Sequence, residues 1–165
     1  VVDLRGNVNT RLQKLQDNPW NGAIFAKAGL ERIEVLPQNH IDLDWMIPAP
    51  AQGAMVVVSL ENEAFSTEAV RKLNDSATDK CTHVEREFLQ VLEGGCTAPI
   101  GALANIEKDK LHFEGILLSL DGTQKLSIKK SISSQDYIDF GKSCALQILN
   151  NGGTAMMKKI KKELA

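Results

Sequence analysis

One amphipathic stripe constrains this chain more than any other feature. Cys81, Val84, Phe88, Val91 and Leu92 recur at spacings of helical period, which puts them on one face of a helix. Gly94-Gly95 should stop that helix, because glycine tolerates the left-handed conformation of a helix C-terminus. Alternation follows: Ile100, Ala102, Ala104 and Ile106 share one side of a strand. Leu111–Leu120 and Leu126–Ile132 read as second and third strands, with Asp121-Gly122 between them as a hairpin signal. Ser133 or Ser134 is expected to cap a helix with Asp136 and Asp139 in its first turns, where acids complement the helix dipole. That helix should end at Asn151-Gly152-Gly153, and a last basic helix should turn Met157, Ile160 and Leu164 inward. Helix, three antiparallel strands and two helices make an α+β domain.

The preceding residues have a different rhythm. Val1–Leu4 and Ala23–Ala26 are short apolar runs that read as strands. Between them, Asn7 or Asn9 should cap a helix through Gln16, with Val8, Leu12 and Leu15 on one face and Asn18-Pro19 ending it. Ala28–Ile33 reads as a second, short helix. Strand, helix, strand, helix predicts a parallel α/β lobe. Leu36–Gln52 holds Pro37, Pro48 and Pro50 and is expected to be irregular; loops this long are often functional. Ala54–Leu60 contains Met55-Val56-Val57-Val58, the most β-prone window of the chain, and Ser66 is expected to cap a helix to Leu73. Asn74–Ser76 reads as a hinge.

Composition narrows the function classes. Of 165 residues, 43% are hydrophobic and 24% charged, which excludes a disordered tail, a collagen-like fibre and a coiled coil. A net charge of −2 lacks the basic excess of a nucleic-acid binder. Lys158, Lys159, Lys161 and Lys162 read as a solvated helix face. No apolar window of about 18 residues exists, so no membrane span is expected. Cys81, Cys96 and Cys144 are spaced by 15 and 48 residues, which fits neither a disulfide framework nor a zinc site and points to a reducing compartment. His40 with Asp42 and Asp44 is only a weak metal pattern, and no metal is expected. The opening Val1-Val2-Asp3-Leu4, without a Met, reads as part of a longer protein.

Two places carry chemistry. The turn Arg5-Gly6-Asn7-Val8-Asn9-Thr10-Arg11 follows an expected strand and opens a helix, where free N–H groups and two guanidinium groups would attract an anion. Arg32 should lie near the same sheet edge, where ligands of α/β folds bind. Three converging arginines suit a ligand with several carboxylates; phosphate competes, although no Walker-type spacing of glycine and lysine occurs. The second place is Cys96 after Gly94-Gly95, on a tight, accessible loop. The plain alternative is a small buried cysteine. A hydrolase would need a histidine base, and His40, His83 and His112 have no recognisable context. The preceding helix presents its negative end to Cys96, which does not favour a thiolate. Cys96 is therefore better suited to holding a permanent adduct than to turning over. Gln52-Gly53 reads as a tight turn.

These residues together resemble the hydroxymethylbilane synthase, or porphobilinogen deaminase, family. The matching stretches are Arg5–Leu12 (RGNVNTRL), Ala28–Arg32 (AGLER), Pro48–Ala54 (PAPAQGA), Val84–Leu89 (VEREFL) and Leu92–Ala102 (LEGGCTAPIGA), in the family's order. The resemblance implies a three-domain fold, of which this chain looks like the later part. Residues 1–53 would be part of a periplasmic-binding-protein-like second domain. Residues 54–75 would be a return strand and helix of the first domain plus the hinge. Residues 76–165 would be the C-terminal α+β domain.

The family condenses four porphobilinogen molecules, releasing ammonia, on a dipyrromethane cofactor held by a thioether. Cys96 matches the attaching cysteine. Arg5, Arg11 and Arg32 match arginines that pair with the acetates and propionates of the pyrroles. Gly94, Gly95, Arg86 and Gln52 are expected to support them. The chain departs from the family pattern at Ala51, where Gly is usual, and at Asn21, where Asp is common. The family's catalytic aspartate would lie outside this chain, and Asp42 and Asp44 do not match its motif. The resemblance thus implies a cytoplasmic, monomeric transferase of tetrapyrrole synthesis, with no nucleic-acid or membrane partner. It also implies an inactive 165-residue chain without bound dipyrromethane. Ala54–Leu60, an apolar strand whose sheet would lie outside this chain, should either self-associate or refold locally against the chain's own domains. The competing readings are an anion-binding α/β module with an incidental cysteine, and a cysteine hydrolase.

Overall fold

The computed structural model describes residues 1–92 and 98–164, and the chain forms two compact units, Val1–Leu43 and Asp44–Ala165. In the first unit, α1 (Val8–Asp17) is capped as expected: the Asn7 side chain accepts the Thr10 N–H at 2.9 Å. Its apolar face is only half-buried. A second helix, α2 (Lys27–Arg32), buries Leu30. The Lys27 ammonium meets the Asp42 carboxylate at 2.7 Å, which raises the lysine's pKa and lowers the acid's.

The expected strands Val1–Leu4 and Ala23–Ala26 are not strands here, and neither is Ala54–Leu60 of the second unit. Each is extended or irregular chain without a ladder. A strand exists only through a partner's N–H and C=O groups, and among the described residues none of the three segments pairs. The α/β lobe is therefore present only as its two helices.

The second unit holds the packed core. Helix α3 (Ala64–Arg71) begins before Ser66, whose hydroxyl bonds Glu63 rather than capping. The long helix α4 (Ser76–Leu92) starts at the expected hinge, where Asp75 accepts the Thr78 N–H at 2.7 Å. That bond, foremost, holds the Asp75 carboxyl below its ordinary pKa.

Beyond residues 93–97, three antiparallel strands follow in the order β1 (Ile100–Glu107), β2 (Lys110–Leu118) and β3 (Lys125–Ser133). Lys108 and Asp109 join β1 to β2 with φ of 47° and 64°, the two positive values that a type I′ turn demands. Asp121-Gly122 lies in a longer loop, closed by the Ser119 N–H on the Gln124 carbonyl at 3.0 Å. Cross-strand rows Ile100–Leu117–Leu126, Ala102–Gly115–Ile128 and Ile106–Leu111–Ile132 build one apolar face. The other face carries His112 on Ser131 and Glu114 on Lys129, polar pairs suited to water.

Val84, Phe88 and Leu92 of α4 pack on the apolar face with Phe113, and Phe113 stacks edge-on with both Phe88 and Phe140. Each such fully buried side chain contributes about 1.5–3 kcal/mol.

Helix α5 (Phe140–Ile148) begins seven residues after Ser133. No local serine caps it. Glu87, reaching across from α4, accepts the N–H groups of Asp139 at 2.9 Å and Gly141 at 3.1 Å. The break expected at Asn151-Gly152-Gly153 is present: Leu149–Gly153 forms a kinked π-type turn with Gly152 at φ 108°, and α6 (Thr154–Leu164) follows. Met156, Met157 and Ile160 are buried on α6; Leu164, expected inside, is exposed beyond the reach of the core.

Candidate functional site

The opening turn of the first unit brings Arg5 and Arg11 to one place. Gly6 bends the chain, and the Arg11 Nε–H donates to the Gly6 carbonyl at 2.8 Å while the Lys14 ammonium donates to the Arg5 carbonyl at 3.0 Å. The Arg11 guanidinium also lies 6.0 Å from the centre of the Phe25 ring. These contacts aim the Arg11 side chain and use one of its five N–H donors, leaving a fork for a carboxylate. Arg5 is exposed and meets Asp3 at 3.4 Å, a surface pair of little energetic weight. The backbone part of the expected anion site is partly spent, because Asn7 already takes the Thr10 N–H. Arg32 closes α2 on an exposed face and makes no hydrogen bond or ion pair among the described residues.

Within the second unit, Gln52 is exposed in the turn after Pro48. Ala51, where glycine is usual in the resembled family, adopts φ 56°, the left-handed region that glycine enters without strain. That turn is held by Glu85, which lies in the VEREFL stretch but is not among the expected site residues. One Glu85 oxygen accepts the Ala51 N–H at 2.6 Å, and the other accepts the Ala104 N–H of β1 at 2.7 Å. Burial pushes the Glu85 carboxyl's pKa up, against the downward pull of these two bonds and of the Arg86 charge. The signal was in the sequence: Glu85 sits four residues after Cys81 and three before Phe88, on the apolar stripe itself. Arg86, next along α4, points to solvent.

Cys96, Gly94 and Gly95 lie outside the described residues. The other two cysteines are core residues. Cys81 and Cys144 are buried, and desolvation raises both thiols' pKa, which suits neither to nucleophilic or adduct chemistry. As for the group that the resemblance implies, the donor set fits it: guanidinium cations at an accessible turn are the natural partners of pyrrole carboxylates. Asp42, already paired with Lys27, is no free acid. Among the described residues no group of three His, Cys, Asp or Glu could hold a metal ion, and no helix is long and apolar enough to cross a membrane.

Comparison with known proteins identifies the family. Residues 1–68 match the family model for "Porphobilinogen deaminase, dipyromethane cofactor binding domain", and residues 80–150 match "Porphobilinogen deaminase, C-terminal domain". A porphobilinogen deaminase of an Exiguobacterium species is 34% identical over 160 residues, covering 95% of this chain and 52% of the relative. One from Campylobacter jejuni is 36% identical over 163 residues, covering 96% of the chain and 53% of the relative. One from Oceanobacillus iheyensis is 32% identical over 164 residues, covering 98% and 52%. The chain spans about half the length of the curated relatives it matches. With both family models matched in order over most of its length, the chain belongs to the porphobilinogen deaminase family.

Proposed function

We propose that this chain is the later part of a hydroxymethylbilane synthase, a transferase that condenses four porphobilinogen molecules into a linear tetrapyrrole with loss of ammonia. The carrying observation is the pair of family matches in order, residues 1–68 to the cofactor-binding model and 80–150 to the C-terminal one. A covalent dipyrromethane, when bound, supplies the pyrrole carbon from which the chain grows.

The protein's own residues take the remaining roles. Cys96 is the attachment point, and Gly94 and Gly95, which precede it in the sequence, support it. The burial of Cys81 and Cys144 supports this assignment by elimination. Arg5, Arg11 and Arg32 pair with acetate and propionate carboxylates, and the Arg11 fork is aimed by its bond to Gly6. Gln52 lends a polar side chain, and Arg86 supports α4. No residue of this chain is assigned as the catalytic acid.

In this reading residues 1–53 belong to a second, periplasmic-binding-protein-like domain. Residues 54–75 return to the first domain, and residues 76–165 are the cofactor-bearing domain. The enzyme would work as a cytoplasmic monomer, and the 165-residue chain alone would be inactive.

The test is to incubate the full-length protein with porphobilinogen and follow ammonia release and a pyrrole-specific colour reaction. Four porphobilinogen consumed per tetrapyrrole released supports the reading. No consumption, with anion binding retained, would instead make the chain an anion-binding module with an incidental cysteine.

A further inference from the structure

We propose that Glu85 is a positioning residue of this site: by gripping the Ala51 and Ala104 N–H groups it fixes the Pro48–Gly53 turn, and so Gln52, against the strand that follows Cys96. The inference rests on the function proposed above. Glu85 is 5% exposed, and each carboxylate oxygen accepts one backbone N–H, from Ala51 at 2.6 Å and from Ala104 at 2.7 Å. A second rung lies beside it, the Ala102 N–H on the Pro48 carbonyl at 2.9 Å. The turn is therefore stitched to the free edge of β1 at two points. It also carries Ala51 at φ 56°, a conformation that persists only when its surroundings over-determine it.

The connection is specific in direction. Glu85 stands on the helix that leads into residues 93–97, and Ala104 on the strand that leaves them. One side chain thus sets the distance between the Gln52 turn and both elements that flank the cofactor cysteine. An apolar side chain at this position would leave the Ala51 and Ala104 N–H groups without the acceptors they have now. The carboxylate's particular ability is to accept two N–H donors at once, one on each oxygen.

The test uses the full-length protein, with Glu85→Gln as the main variant and Glu85→Ala beside it. Glutamine keeps one acceptor and turns an NH2 donor toward the other N–H, so the grip fails while volume is preserved. The expected result for Glu85→Gln is an unchanged far-ultraviolet spectrum and unchanged dipyrromethane content by intact mass. Amide exchange at residues 51–53 should quicken about tenfold, with β2 and β3 protection intact. KM for porphobilinogen should rise about tenfold with kcat within about threefold. In a Gln52→Ala background the KM effect of Glu85→Gln should largely vanish, because the two changes act through one contact.

Unchanged exchange at residues 51–53 would overturn the proposal, as would faster exchange with unaltered KM. Loss of activity only in proportion to the unfolded fraction, in both variants, would also overturn it and leave Glu85 a scaffold residue. If the unaltered protein consumes no porphobilinogen, it is the proposed function that fails, and the exchange measurement still decides whether Glu85 holds the turn.

Discussion

Arg11 shows how local contacts fix the direction of a single side chain. Its position in α1 follows from the Asn7 cap, and its direction from the Gly6 carbonyl and the Phe25 ring. Replacing it should hurt binding much more than folding. Arg11→Leu in the full-length enzyme is expected to cost about 2–5 kcal/mol of carboxylate pairing, hence about 30-fold or more in kcat/KM. The melting transition should hardly move, since the bonds lost within the fold are exposed. Near-normal kcat/KM with a full complement of cofactor would remove Arg11 from the carboxylate clamp. At this scale the capped turn that carries Arg5 and Arg11 is legible in the sequence, because RGNVNTRL is a local pattern whose cap needs no distant partner. Glu85 was not legible as a site residue, because its meaning depends on Ala51 and Ala104, N–H groups 34 and 19 residues away. Only its place on the apolar stripe betrayed it.

Among the elements, α4 and α5 approach closely at Gly141. A Cβ on Gly141 would press directly on the Val84 carbonyl oxygen, backbone against backbone, so neither helix can yield by a rotamer change. Gly141→Ala should therefore destabilise by about 3 kcal/mol or more, at the upper end of overpacking costs. It should also weaken the Glu87 cap on the α5 N-terminus. A thermal melt within a degree of the unaltered protein would contradict that packing.

The β2–β3 loop offers a pH test. Asp121 accepts bonds from the Ser119 hydroxyl and the Thr123 N–H and hydroxyl, led by Ser119, and its pKa falls from 3.8 to about 2. A lowered acid stabilises the folded state above its ordinary pKa and loses that contribution as pH falls through the folded value. The melting difference between the unaltered protein and Asp121→Asn should be full above about pH 4 and shrink toward pH 2. A difference constant with pH would deny the shifted carboxylate.

The strands were readable because alternation is local, and so was the break at Gly152. The start of α5 was misread because its cap comes from Glu87 on another helix, which no rule about neighbouring serines can find.

At the scale of the whole molecule, Ala54–Leu60 is the outstanding exposed feature. Met55 is 89% exposed and Val58 84%, beside a groove that Met55 and Val57 share with Val70 and Leu73 of the α3 region. An apolar extended segment without a ladder is a template for another chain. The 165-residue chain should therefore self-associate with rising concentration, and Val57→Lys should weaken this about tenfold or more. A strict monomer at high concentration by sedimentation would refute the idea. The same segment explains what the sequence could not settle: Val1–Leu4, Ala23–Ala26 and Ala54–Leu60 have strand composition, but pairing is a property of the partner as much as of the segment.

The account turns on one atom, the Cys96 sulfur as the cofactor's anchor. Peptide mapping of the full-length protein, after its intact mass has established a covalent adduct, tests this most directly. The prediction is that the dipyrromethane mass is carried by the peptide containing Cys96, with Cys81 and Cys144 recovered as free thiols. An adduct on Cys81 or Cys144, or active enzyme with all three cysteines unmodified, would contradict it.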